Sequence, residues 1–414
     1  MNLESISQSI AIVHPITLSQ GRNAEVWDTD GKRYIDFVGG IGVLNLGHCN
    51  PAVVEAIQAQ ATRLTHYAFN AAPHGPYLEL MERLSEFVPV SYPLAGMLTN
   101  SGAEAAENAL KVARGATGKR AIIAFDGGFH GRTLATLNLN GKVAPYKQRV
   151  GELPGPVYHL PYPSADTGVT CEQALQAMDR LFSVELAVED VAAFILEPVQ
   201  GEGGFLALDP AFAQALRRFC DERGILIIID EIQSGFGRTG QRFAFPRLGI
   251  EPDLLLLAKS IAGGMPLGAV VGRKALMAAL PKGGLGGTYS GNPIACAAAL
   301  ASLAQMTDEN VATWGERQEQ AIISRVERWQ GQYPFIGRLT GVGAMRGVEF
   351  VNADGSPAPA RLAKVMDAAR GKGLLLMPSG KARHIIRLLA PLTIEAEVLE
   401  EGLDIFEQCL AELN

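Results

Sequence analysis

Ile225-Leu-Ile-Ile-Ile-Asp230-Glu231, followed after one crossover by Asp253-Leu-Leu-Leu-Leu-Ala-Lys259-Ser260, is the stretch from which the fold is read. Two similar aliphatic runs precede it, Arg120 to Phe125 and Val191 to Leu196, and amphipathic stretches such as Ala211 to Arg223 lie between some of them. Continuous aliphatic runs separated by helical patterns indicate a mostly parallel sheet covered on both faces, an α/β architecture. Ligands of such sheets sit at the carboxyl ends of the strands. Polar residues collect there: Asp230 closes one run and Lys259 the next.

Working outward, residues 1–49 hold a hairpin pattern, Glu25 to Asp28 and Arg33 to Phe37 about an Asp30-Gly31 turn, and then a glycine-rich passage from Gly39 to Gly47. A helix is expected from Pro51 to Arg63. Beyond residue 300 the pattern becomes α+β: a long helix over Glu309 to Gln330, strands at Ala344–Phe350, Leu374–Met377 and Ile385–Leu389, and a closing helix from Glu395 to Leu413. The expected division is a large domain over 50–300 and a smaller one built from 301–414 with the segment 1–49 packed against it.

The balance of the chain excludes several classes of function. With 414 residues, 48% hydrophobic and 19% charged, it has the composition of a large folded protein. A net charge of −7 gives no basic field for a nucleic-acid backbone. Five cysteines, odd in number and without CxxC spacing, argue for reduced thiols and against a disulfide framework or a metal site. The first residues lack a basic and then apolar leader and do not read as a signal peptide, and the uncharged stretch Tyr289 to Thr307, which contains Asn292 and Pro293, reads as a loop entering a buried helix rather than a membrane span. A cytoplasmic location is expected.

The chemistry lies in a constellation. Lys259, at the tip of a four-leucine strand, presents an amine that desolvation would make nucleophilic, as Schiff-base formation requires. Asp230, one strand away, would face a cation such as a protonated pyridine nitrogen. Thr99-Asn-Ser101-Gly102-Ala103-Glu104 has capping-box spacing, with small residues that let an anion reach the first-turn amides of a helix. Phe129-His130-Gly131-Arg132 offers a ring for stacking and a guanidinium for a carboxylate, and the glycine loop Gly283 to Ser290 ends in hydroxyls. Taken singly each feature is ordinary: a lysine snorkelling into water, a salt-bridged aspartate, a capped helix, a core phenylalanine, a flexible connector. Gly235-Phe-Gly-Arg-Thr-Gly240 matches GxGxxG, but it neither follows a strand directly nor opens a helix, so it is assigned to a loop and a dinucleotide site is rejected.

In this order the motifs resemble those of class III (omega) aminotransferases of fold type I, along nearly the whole chain. They are Ser101-Gly-Ala-Glu104, Gly128-Phe-His-Gly-Arg132-Thr133, Glu197-Pro-Val-Gln-Gly-Glu202-Gly-Gly, Asp230-Glu-Ile-Gln233-Ser-Gly-Phe-Gly, Ala258-Lys259-Ser260 and Gly286-Gly-Thr288-Tyr-Ser-Gly-Asn-Pro293. Within the family the chain looks closest to bacterial 4-aminobutyrate aminotransferases, through Phe37 to His48, Gly141 to Lys147 and Arg387 to Thr393.

The resemblance implies a large domain on a seven-stranded sheet beside a smaller α+β domain, and pyridoxal 5′-phosphate (PLP) as cofactor. Lys259 would be the Schiff-base lysine and proton shuttle, Asp230 would pair with the ring nitrogen and Gln233 would meet the phenolic oxygen. Phe129 would stack on the ring. Ser101, Gly102, Ala103 and His130 would help to hold the cofactor, and Thr288 would reach the phosphate from the partner subunit of a homodimer, with pairing into tetramers left open. Arg132 would clamp the distal carboxylate of 4-aminobutyrate. Glu202 would cover Arg387 in one half-reaction and release it to 2-oxoglutarate in the other, with Ile41 and Glu197 lining the same pocket. The expected activity is 4-aminobutyrate:2-oxoglutarate transamination. Alternatives on the same cofactor are 5-aminovalerate, ornithine, acetylornithine or a diamine as amino donor, or a racemase or epimerase outcome. A non-catalytic PLP-binding regulator is the alternative from another class.

Overall fold

The four aliphatic runs of the sequence lie side by side in one seven-stranded sheet. Its strands, in spatial order, are Leu94–Thr99, Gly268–Arg273, Leu254–Leu257, Leu226–Asp230, Val191–Leu196, Ala121–Phe125 and Val157–Leu160. This computed structural model describes residues 3–413. Leu226–Asp230 runs parallel to both of its neighbours, with Asp230 opposite Leu256 and Ile229 opposite Leu196. Gly268–Arg273 is antiparallel to the strands on either side of it. The sheet is therefore mostly parallel, as expected. The strands that the aliphatic-run criterion passes over are Leu94–Thr99, Val157–Leu160 and the reversed Gly268–Arg273, whose runs are diluted by Gly, Thr, His and Arg.

Side chains alternate between two apolar layers, as a pleated sheet requires. Ile227, Ile229, Leu255 and Leu257 pack with Phe212, Leu216 and Ala295, which come from the helices Pro210–Arg223 and Pro293–Gln305. Ile228, Leu254 and Leu256 face Ala105, Ala109 and Val112 of the helix Gly102–Thr117. Alanines on that helix let it lie close to the sheet. It begins at Ser101, whose Oγ accepts the Glu104 amide at 3.2 Å, and it ends at Gly118 with φ +69°. The expected capping box is half formed. The Glu104 carboxylate accepts from the amide and side chain of Asn100, one residue before the cap, instead of returning to Ser101.

Two four-stranded sheets lie over a second core, and Val199–Gln200 pairs with Leu206–Ala207 in a two-stranded one. Leu18–Arg22, Glu25–Asp28 and Arg33–Asp36 pair in sequence order, and Leu374–Leu375 adds to their edge. Ile336–Val342, Met345–Phe350, Ile385–Leu388 and Met377–Ser379 make the other sheet. The single strand expected over Leu374–Met377 is thus two short strands in different sheets, because the chain crosses from one to the other at Leu376. Ile35 and Phe37 share a buried cluster with Trp329, Val348, Phe350, Leu388 and Phe406. That packing joins the first strands to the long helix Asp308–Gln332 and the helix Ala396–Ala411.

All five cysteines are free thiols; Cys220, Cys296 and Cys409 are buried, Cys171 is half-buried and Cys49 exposed. No helix among the described residues is long and apolar enough to cross a membrane.

Candidate active site

Five strand ends and one strand start meet along one edge of the large sheet. Leu94–Thr99 leads into the Ser101 cap, Ala121–Phe125 into the Phe129 loop and Val191–Leu196 into Glu197. Leu226–Asp230 ends on Asp230 and Leu254–Leu257 leads to Lys259, while Gly268 lies opposite Thr99. The parallel topology itself gathers these residues. They line a cavity of about 470 Å³ whose walls include Ser101, Gly102, Ala103, Phe129, His130, Arg132, Glu197, Glu202, Asp230, Gln233, Lys259 and Ile41. Of the residues expected in the site, Arg387 and Thr288 are outside this lining.

Lys259 follows Ala258 with φ +47°, a left-handed conformation that an L-residue adopts only under constraint. Such local strain clusters at functional positions. Burial drives the Lys259 ammonium below the ordinary lysine range, against the opposing charges of Asp230, Glu197 and Glu202. Its amine is therefore more readily neutral than a surface lysine's.

Asp230 is 3% exposed. One carboxylate oxygen accepts the Ile232 amide at 3.0 Å, and the other is 2.8 Å from His130 Nδ1. Burial works against a charge on His130, yet the hydrogen bond and charge of Asp230, with the charge of Glu197 behind them, hold its pKa above the usual histidine value. His130 therefore fixes the Asp230 carboxylate from behind. Glu197 accepts the amides of Phe129 at 2.9 Å and Gly201 at 3.0 Å, so it ties two site loops together.

Arg387 is 1% exposed and lies behind Glu202. Its Nη1 donates to Glu202 Oε1 at 2.6 Å and its Nη2 to the Pro378 carbonyl at 3.0 Å. Burial alone would raise the Glu202 pKa, but Arg387 holds it below the ordinary glutamate value. Tyr146 donates to the other oxygen of Glu202 at 3.2 Å. The Tyr146 ring also lies 4.7 Å from the Arg132 guanidinium, with Phe129 at 5.9 Å, so Arg132 sits in an aromatic corner. Tyr146 is a site residue that motif reading leaves without a role. Its only sequence signal is an aromatic ring in the Gly141 to Lys147 passage.

Three observations test whether an aldehyde-bearing phosphate cofactor fits. The Ser101 cap presents the free first-turn amides of a 16-residue helix into the cavity, as an anion requires. Gln233, in the cavity wall, donates through Nε2 to the Ile41 carbonyl at 3.4 Å, while its buried Oε1 has no partner and so leaves hydrogen-bonding capacity beside the cavity. At Gly201 a Cβ would overlap that same oxygen, so the glycine keeps the amide seated. Asp230, Lys259 and the helix amides together match a cationic ring, an aldehyde and a phosphate.

The family model for class-III aminotransferases matches residues 7–410. The chain belongs to the class-III aminotransferases. This aminotransferase is 94% identical over 416 residues to the 2-aminoadipate transaminase of Pseudomonas putida, with 100% of both chains covered. It is 45% identical over 415 residues to the 4-aminobutyrate aminotransferase GabT of Escherichia coli, covering 99% of this chain and 96% of that one. Among solved structures, an amine transaminase from an uncultivated Pseudomonas species in its PLP-bound form is similar with a TM-score of 0.90 and 28% identity. That likeness covers 99% of this chain and 98% of the other. The cofactor of the aminotransferase is pyridoxal phosphate, and the cavity fits it.

Thr288 is exposed in the glycine loop, away from this chain's own cavity. The Gly235 to Gly240 passage is a turn and opens no regular helix, in keeping with the rejection of a dinucleotide site.

Proposed function

We propose that this aminotransferase takes the amino group from C2 of 2-aminoadipate, leaving 2-oxoadipate, and passes it to 2-oxoglutarate, giving glutamate. The observation that carries the reading is the covered arginine. Arg387 is buried behind Glu202, while Arg132 opens directly to the cavity. Two guanidinium groups suit substrates with two carboxylates, and both 2-aminoadipate and 2-oxoglutarate are of that kind. Bidentate guanidinium–carboxylate pairing gives orientation as well as energy. The relative at 94% identity, a 2-aminoadipate transaminase, supports the same choice.

Pyridoxal phosphate, when bound, supplies the aldehyde that takes up the amino group and a protonated ring that draws electrons from the substrate carbon. The chain's own residues do the rest. Lys259 Nζ, kept more readily neutral by burial, accepts the proton from the substrate carbon that carries nitrogen and later returns one. Asp230, fixed by His130 and the Ile232 amide, holds the proton on the ring nitrogen. Gln233 would meet the phenolic oxygen, Phe129 would cover the ring, and Ser101, Gly102 and Ala103 would cradle the phosphate. Glu202 turns aside so that Arg387 takes the α-carboxylate, and Arg132 takes the distal one. Ile41 and Glu197 shape the wall. Thr288, exposed on its own subunit, completes the phosphate cradle of a second copy in a homodimer.

A second reading is favoured by the closed Glu202–Arg387 pair itself. A substrate without an α-carboxylate, such as 4-aminobutyrate, leaves that pair undisturbed, and the relative at 45% identity is a 4-aminobutyrate aminotransferase. A half-reaction separates the two. Holoenzyme mixed with 2-aminoadipate and no keto acid should lose its visible absorbance at least about 10-fold faster than with 4-aminobutyrate, a margin within what pocket contacts supply. Faster conversion by 4-aminobutyrate would establish the second reading instead.

A further inference from the structure

Glu202 lines two cavities at once. One is the substrate cavity; the other is a hollow of about 690 Å³ whose walls include Lys142, Gln200, Lys381, His384 and Arg338. The inference below rests on the reading of Glu202 as a movable cover over Arg387. When a substrate α-carboxylate takes Arg387, Glu202 leaves with its negative charge. A carboxylate released into a part-buried space is costly unless a cation receives it.

We propose that the Lys142 ammonium, across the second hollow, is the group that receives Glu202, and that it thereby sets the enzyme's affinity for substrates bearing an α-carboxylate. Lys142 is half-buried, and its Nζ makes one long hydrogen bond, 3.4 Å to the Gly380 carbonyl. It pairs with no carboxylate among the described residues. The Gly380 amide in turn donates to the Glu202 carbonyl at 3.0 Å, so lysine and glutamate engage opposite ends of one residue. The other cations of the hollow are committed or hydrated. Arg338 holds Glu349 at 2.8 Å, His384 lies 3.3 Å from the same carboxylate, and Lys381 is exposed.

The backbone beneath Lys142 is fixed. Gly141 exchanges hydrogen bonds with the loop before Phe129, its carbonyl accepting from Gly127 at 3.1 Å and its amide donating to Gly128 at 2.9 Å. A Cβ at Gly141 would run into the Gly127 amide. Burial lowers the Lys142 pKa and the Glu202 charge opposes that, so an arriving carboxylate would stabilise the charged amine. Every carboxylate then has a cation in both states. With Arg387 covered, Glu202 and Arg387 are paired and Lys142 is spare. With Arg387 on substrate, Lys142 and Glu202 form the second pair.

The test is calorimetric titration of PLP-form holoenzyme with adipate, which engages both arginines, and with valerate, which engages Arg132 alone; neither ligand carries an amine to react. Lys142→Met should weaken adipate about 10-fold and leave valerate within about 2-fold of wild type, so valerate reports an intact site. Lys142→Arg should restore adipate binding, and Lys381→Met should leave both ligands unchanged. In a Glu202→Ala background adipate should bind more tightly than to wild type, and Lys142→Met should then have no further effect. Unchanged adipate binding in Lys142→Met overturns the proposal, as does equal weakening of both ligands or an effect that persists without Glu202. If Glu202→Ala does not tighten adipate, the cover itself is refuted, a failure that this arm identifies separately.

Discussion

At Lys259 a nucleophile and a strained backbone coincide. A left-handed residue of this kind costs about 1–3 kcal/mol and persists only where the surroundings impose it. The imposing elements are the four-leucine strand behind it and the short helical turn Lys259–Ala262 ahead of it. Because burial lowers the lysine's pKa while Asp230 raises it, the charge of Asp230 should be readable from Lys259. In cofactor-free protein, the pH midpoint for pyridoxal capture, trapped with borohydride, should lie below that of a free lysine. Asp230→Asn should move it lower still; an upward move would contradict this electrostatic account. Gly201 gives a second prediction. Gly201→Ala should displace Gln233 and weaken PLP binding about 10-fold by absorbance titration, with little change in melting temperature, because the clash is confined to one side-chain amide. Lys259, Asp230, Gln233 and Glu202 are legible in the sequence because their neighbours in the chain carry the pattern. Tyr146 and Lys142 are not. Their partners, Glu202 and Gly380, are brought to them only by the packing of distant segments.

Among the elements, the helix Gly102–Thr117 and the helix Pro210–Arg223 make a controlled pair. Both begin at a side-chain cap, Ser101 for the first and Asp209 for the second, whose Oδ1 accepts the Ala211 amide at 2.8 Å. Each cap removed should cost about 1 kcal/mol of stability in urea unfolding. Only Ser101→Ala should also weaken cofactor binding, since only that helix points its first turn into the cavity; if Asp209→Ala weakens PLP as much, the effect is global and the cradle is not special. Pattern reading locates these helices and the aliphatic central strands well, because burial on both faces leaves a run with no polar interruption. It passes over Gly268–Arg273 for a physical reason. That strand's glycines sit where neighbours press closest: a Cβ at Gly268 would lie 2.6 Å from Thr99 Oγ1. Close approach requires small residues, and small residues erase the hydrophobic signal. The half-formed capping box has a similar origin, since spacing fixes which groups are near but not which acceptor a free carboxylate finds.

Across the whole molecule, one buried arginine ties the parts together. Arg238 is fully buried in the turn that mimics a dinucleotide fingerprint. It donates to the Ala390 carbonyl at 2.7 Å and to the side chain of Asn45. Asn45 in turn donates to the Phe236 carbonyl at 2.7 Å, and its own carbonyl accepts the Leu392 amide at 2.7 Å. Burial alone pushes the Arg238 pKa down to about 9, so its charge is held by dipoles rather than by a carboxylate. Arg238→Met would leave two buried acceptors unpaired at about 1–3 kcal/mol each, and should lower the unfolding midpoint measurably. Because Ala390 follows closely on Arg387, it should also slow turnover of dicarboxylates more than it weakens PLP. Equal losses in both would show that the tie holds the fold alone. The glycine-rich passage thus has a structural purpose that a motif scan cannot express.

The order of these parts along the chain has a consequence for biosynthesis. Asp230 and Lys259 emerge from the ribosome before Arg387, so the residues at the tips of the large sheet are translated ahead of the arginine that Glu202 covers. The pocket is therefore incomplete until the strand Ile385–Leu388 has docked and set Arg387 behind Glu202.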